Sequence, residues 1–91
     1  MSERSEKLSD KIQAEVEELR GLRDDLKLQV HLGKMDAQRR FEKAEKEWEH
    51  LEAKLRVLAS ASRESLGDVG EAVKLLLHEI RESYRHIRKA L

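Results

Sequence analysis

Ala37-Gln-Arg-Arg-Phe41-Glu-Lys-Ala44-Glu-Lys-Glu-Trp48-Glu-His-Leu51-Glu-Ala-Lys-Leu55-Arg-Val-Leu58 decides the fold of this chain. Its apolar positions, Ala37, Phe41, Ala44, Trp48, Leu51, Leu55 and Leu58, advance by alternating steps of four and three. Steps averaging about 3.5 residues keep one stripe of an α-helix turned toward a partner. Nearly everything between the stripe positions is charged. A helix so polar on its back can bury that stripe and little else, so it must pack on other helices.

Toward the N-terminus the same spacing returns in Leu8, Ile12, Val16, Leu19, Leu22, Leu26 and Val30. Arg23 falls on this seam, where its aliphatic stem can pack while the guanidinium reaches outward. Acid-before-base pairs four apart (Glu3–Lys7, Asp36–Arg40, Glu42–Lys46, Glu52–Arg56) add local helix support.

Val30-His-Leu-Gly-Lys-Met-Asp36 joins the two stripes and admits two readings. Gly33 could close one helix with Asp36 capping the next, giving an antiparallel hairpin. Alternatively the helix runs on. The seam passes through the site as Leu26, Val30, Gly33, Ala37, Phe41 and Ala44, a heptad pattern with one four-residue stutter. An isolated glycine costs a helix only about 1 kcal/mol. The preserved phase favours the continuous helix.

Toward the C-terminus, Ser60-Ala-Ser-Arg-Glu-Ser-Leu-Gly-Asp-Val-Gly70 gathers turn residues, and Asp68 with Glu71 has the spacing of a helix cap. A final helix is then predicted with Val69, Val73, Leu76, Ile80, Tyr84, Ile87 and Leu91 on its seam, widened by Leu75 and Leu77. Tyr84 is expected at the bundle edge with its hydroxyl in water.

The expectation is an all-α, coiled-coil-like bundle forming a single helical domain over residues 1–91. Its segments span about 8–32, 36–59 and 68–91, with a marked break at 60–67 and a faint one at 33–36. If the first two segments fuse, the exposed stripe needs a second chain, and the contacts are rebuilt in a domain-swapped antiparallel dimer. That homodimer interface would use Ile12, Val16, Leu19, Leu26, Val30, Phe41, Trp48, Leu51 and Leu55. Leu28, Leu32 and Met35 lie off the seam, and a dimer contact would explain them.

The run His31-Leu-Gly-Lys-Met-Asp-Ala37 with Phe41–Leu55 resembles small bacterial coiled-coil and helical-bundle proteins, to which no function is attached. The resemblance covers about a quarter of the chain. It implies a helical, oligomeric protein and carries over no site residues.

Composition narrows the function classes. Charged residues make up 42% of the 91 and the net charge is zero, so no global field steers the chain to nucleic acid or anionic lipid. The successive stretches 1–30, 31–62 and 63–91 are themselves nearly neutral, at −2, +1 and +1. Without cysteine, disulfides and thiolate metal sites are excluded, which fits a reducing, cytoplasmic setting. The first residues lack the apolar core of a signal peptide.

Glu47-Trp-Glu-His50 has the spacing that places two metal ligands on one helical face, so Glu47 and His50 are the candidate metal residues. The phase turns His50 outward, which makes solvated charge the simpler reading. His31, His78 and His86 stand near no nucleophile or glycine-rich loop, and no catalytic residue or cofactor is expected. The expected function is a non-enzymatic structural or adaptor module that self-associates, with another helical protein as a further partner. The alternatives are reversible binding to a membrane surface by amphipathic helices, suggested by basic residues Arg81, Arg85, Arg88 and Lys89, and a metal-binding bundle.

Overall fold

In the computed structural model, which describes the backbone of residues 2–91 and the side chains of 10–62 and 64–91, three helices make up the chain. These are α1 (Ser2–His31), α2 (Met35–Ser60) and α3 (Arg63–Ala90), and no strand occurs among the described residues. They run up, down and up into a rod of 48 × 17 × 16 Å. Its length is that of α1 itself, about 45 Å for 30 residues at the helical rise. Leu8 and the Glu3–Lys7 pair fall outside the described side chains.

Each helix contributes five residues to one core. They are Ile12, Val16, Leu19, Leu26 and Val30 from α1, and Ala37, Phe41, Ala44, Trp48 and Leu51 from α2. Val73, Leu77, Ile80, Tyr84 and Ile87 come from α3. Leu22, Leu55, Leu58, Val69 and Leu76 pack around their edges. No charged side chain is fully buried among the described residues. The all-α bundle read from the stripes is the fold of the chain.

The connection at Gly33 is a turn, which corrects the favoured continuous helix. The end of α1 tightens, with the Gly33 N–H donating to the Val30 carbonyl (2.9 Å) and the Leu32 N–H to Gln29 (3.3 Å). The Gln38 side-chain amide reaches back to the Val30 and Gly33 carbonyls at 3.4 and 3.5 Å. Lys34, in extended conformation, precedes α2, so Asp36 lies inside the first turn rather than at the cap. There its charge still complements the helix N-terminus. Gly33 has no positive φ. A Cβ at this position would lie 3.1 Å from Leu91 Cδ2 and 3.3 Å from the Gln29 carbonyl oxygen. Close approach, not a left-handed backbone, is what glycine provides here.

The second connection is shorter than expected. Only Ala61 and Ser62 separate α2 from α3, so α3 begins at Arg63 and not near Asp68. The Ser62 and Ser65 hydroxyls lie 3.1 Å apart, and the Ser65 N–H donates to the Ser62 carbonyl (3.2 Å). Asp68 and Glu71 are therefore exposed mid-helix residues. Gly67 and Gly70 both lie inside the helix, Gly67 exposed and Gly70 buried between Val69 and Val73, which pack on the core.

A candidate interaction surface

The middle of the bundle is marked by its one large aromatic plane. Trp48 is buried between the helices, and the guanidinium carbons of Arg20 and Arg23 stand 6.0 and 5.4 Å from its ring centroid. Both distances suit attraction of a cation to an indole face. Arg23 does not point straight out as its seam position suggested. It crosses from α1 to α2, where Nε and Nη2 each donate to a Glu45 carboxylate oxygen at 2.7 Å. This two-pronged geometry matches guanidinium to carboxylate and fixes their orientation. The Glu45 bond holds Arg23 still more firmly in its charged form, against the opposing effect of burial.

That contact also sets the pairing of α1 with α2. Counting outward from Arg23–Glu45 in an antiparallel pair brings Leu19 to about the level of Trp48 and Leu26 to about that of Phe41.

Tyr84 lies beneath this layer and corrects the expectation of a wet edge. It is buried, and its hydroxyl takes no hydrogen-bond partner among the described residues. Burial pushes its phenol well above the ordinary tyrosine range, and the Glu45 carboxylate adds to the shift. On α3 the buried stripe also passes through Leu77, with Leu76 at its border and Leu75 exposed.

Of the nine residues expected at a dimer interface, Ile12, Val16, Leu19, Leu26, Val30, Phe41, Trp48 and Leu51 are buried within the one chain, and Leu55 packs against them. Glu47 and His50, the candidate metal residues, stand one turn apart on α2. His50 is exposed, and Glu47 accepts a hydrogen bond from the Ser83 hydroxyl at 2.9 Å. No group of three potential metal-binding side chains occurs among the described residues. An open groove between α2 and α3 is lined by Arg40, Lys43, Glu47, Glu79, Ser83 and His86, with charges of both signs. Its hydrogen bonds join Ser83 to Glu47 and, at the margin, Arg85 to Glu82.

Six large apolar side chains are exposed among the described residues: Val57, Leu75 and Leu91, and a group of three at the Gly33 end. Leu28, Leu32 and Met35 are 69, 83 and 66% exposed, on the outer face of the last turns of α1 and the start of α2. No helix of the described residues is long and apolar enough to cross a membrane.

The chain matches no protein-family model, and the comparisons with curated proteins and with solved structures gave no match. The geometry alone therefore carries the functional reading.

Proposed function

We propose that the protein is a non-enzymatic structural or adaptor module, a closed three-helix bundle that acts through its outer surface. The observation that supports this is the single core to which each helix gives five residues, since it uses up the apolar stripes within one chain. In the α2–α3 groove Glu47 is engaged by the Ser83 hydroxyl and Glu82 by Arg85, as on a solvated surface. The cytoplasm is the compartment this reading assumes. The test is unfolding followed by Trp48 fluorescence across a hundredfold range of protein concentration. A closed module keeps its midpoint constant, whereas folding that needs a second copy raises the midpoint with concentration.

Self-association by domain swapping is the second reading, and the backbone at Gly33 favours it. With no positive φ to maintain, the turn can straighten into one long helix, and two chains would rebuild the same core in trans. A concentration-dependent midpoint selects this form.

A further inference from the structure

The sequence hides a charge separation that the topology creates. The Gly33 virtual Cβ close to Leu91 shows that the α1–α2 turn and the C-terminal end of α3 share one end of the rod. Residues 27–40 and 85–91 make up that end. They carry Lys27, Lys34, Arg39, Arg40, Arg85, Arg88 and Lys89 against the single acid Asp36, a side-chain charge of +6. The rest of the neutral chain carries −6. All seven cations are exposed. Arg40 and Arg85 pair with neighbouring acids, while none of the ion pairs among described residues engages the other five.

The same end carries Leu28, Leu32 and Met35, all more than half exposed. Leu28 and Leu32 are one turn apart on the side of α1 away from the core, and Met35 follows just past the turn. Lys27, His31 and Lys34 are interleaved with them in sequence. With about two thirds or more of their surface in solvent, the three apolar side chains stand free of the core.

We propose that this basic, leucine-tipped end docks the bundle onto an anionic lipid surface. Leu28, Leu32 and Met35 enter the headgroup region, and the surrounding lysines and arginines meet the lipid phosphates and carboxylates. Membrane attachment by such weak anchors takes two signals acting together, a shallow apolar insertion and a basic patch, and both stand at one end of this rod. A second copy fits poorly, because a symmetric contact would set two +6 ends face to face. An acidic protein would satisfy the cations but would need a shaped site for the three apolar side chains, which a fluid bilayer does not. The proposal rests on the closed bundle and is independent of which protein the module joins.

The experiment is flotation of the full chain with phosphatidylcholine vesicles containing about one third phosphatidylserine, against phosphatidylcholine alone. Binding is expected only to the anionic vesicles, falling as salt rises from about 0.05 to about 0.5 M. The double variant Lys27→Glu, Lys34→Glu should bind at least about tenfold more weakly. Leu28→Ser with Leu32→Ser should also lose several-fold. Lys46→Glu with Lys74→Glu makes the same charge change at exposed positions away from this end and should retain most of the binding. Circular dichroism checks that each variant keeps its helix. No binding by the parent chain would overturn the proposal, as would an equal loss in the Lys46, Lys74 variant. Binding to poly-glutamate without binding to vesicles would overturn it too, and would assign the end to an acidic protein.

Discussion

At the level of Trp48, arginine and glutamate are drawn into the bundle, where Arg23 grips Glu45 with two 2.7 Å hydrogen bonds over the indole ring. At the Gly33 end the same kinds of residue are left outside. Five cations there take part in no ion pair among the described residues, and three large apolar side chains stand in solvent beside them. The middle ties two helices together across the indole ring, whereas the end leaves its cations and apolar side chains in solvent. Substitutions in the first region should therefore change stability, while those in the second should leave stability alone.

The largest effect belongs to Trp48→Ala, which leaves a cavity where all three helices meet. Trp48 is a buried core side chain under two α1 arginines, so its loss should cost about 3–5 kcal/mol in urea unfolding. His50→Ala, two residues away but exposed, should stay within about 0.5 kcal/mol. Equal losses would mean that the stripe is out of phase.

Glu45→Ala comes next. It strands a half-buried guanidinium above the ring and should lower stability by about 1–2 kcal/mol. A double-mutant cycle with Arg23→Ala would isolate the pair, and strict additivity would show that the two side chains do not interact.

How much of this was legible in the residues follows the same division. The stripes of α1 and α2 were readable because their apolar spacing depends on local geometry alone. The turn at Gly33 was not, since a tight hairpin also keeps both stripes facing inward and so preserves the phase that favoured a continuous helix. Lys34, Met35 and Asp36 carry no turn chemistry, and the Gln38 amide that serves the end of α1 acts only once the chain has turned. Asp68 and Glu71 mimicked a cap because any acid pair three apart does so, in mid-helix or not. Leu76 and Leu77 both suit a stripe, and packing chose the second as the buried one. Tyr84 was misjudged because its burial depends on where α3 sits beneath Arg23 and Glu45. The basic end was legible only in half: Arg85, Arg88 and Lys89 stood out in the tail, but their meeting with Lys27, Lys34, Arg39 and Arg40 depends on the third helix returning to the Gly33 turn.

Tyr84→Phe tests the middle from the other side. Removing a buried hydroxyl that lacks a partner should leave stability unchanged or raise it by up to about 1 kcal/mol. The raised phenol pKa also gives a sign. Its contribution is fully present below the unfolded value of about 10 and is lost as pH rises from there through the folded value. The parent should therefore lose more stability than the variant as pH rises above about 10. Parallel alkaline profiles for the two proteins would place the hydroxyl in water.

The smallest change in stability is expected at the basic end. Leu28→Ser with Leu32→Ser should move the unfolding free energy by no more than about 0.5 kcal/mol per site, since both side chains are already solvated. A larger loss would mean that these leucines pack on something within the folded protein, and the contrast between the two regions would fail.

The claim beneath all of this is that the chain turns back at Gly33 and closes its core on itself. Because the sequence has no cysteine, spin labels can be placed uniquely through Asp24→Cys and Lys46→Cys, exposed positions that flank the Arg23–Glu45 contact. Labelled chains diluted in excess unlabelled protein report only the distance within one chain. The hairpin predicts about 20 Å, from roughly 8–10 Å between packed helix axes plus the label arms. A distance near 33 Å, the rise of about 22 residues along an uninterrupted helix, would contradict the closed bundle.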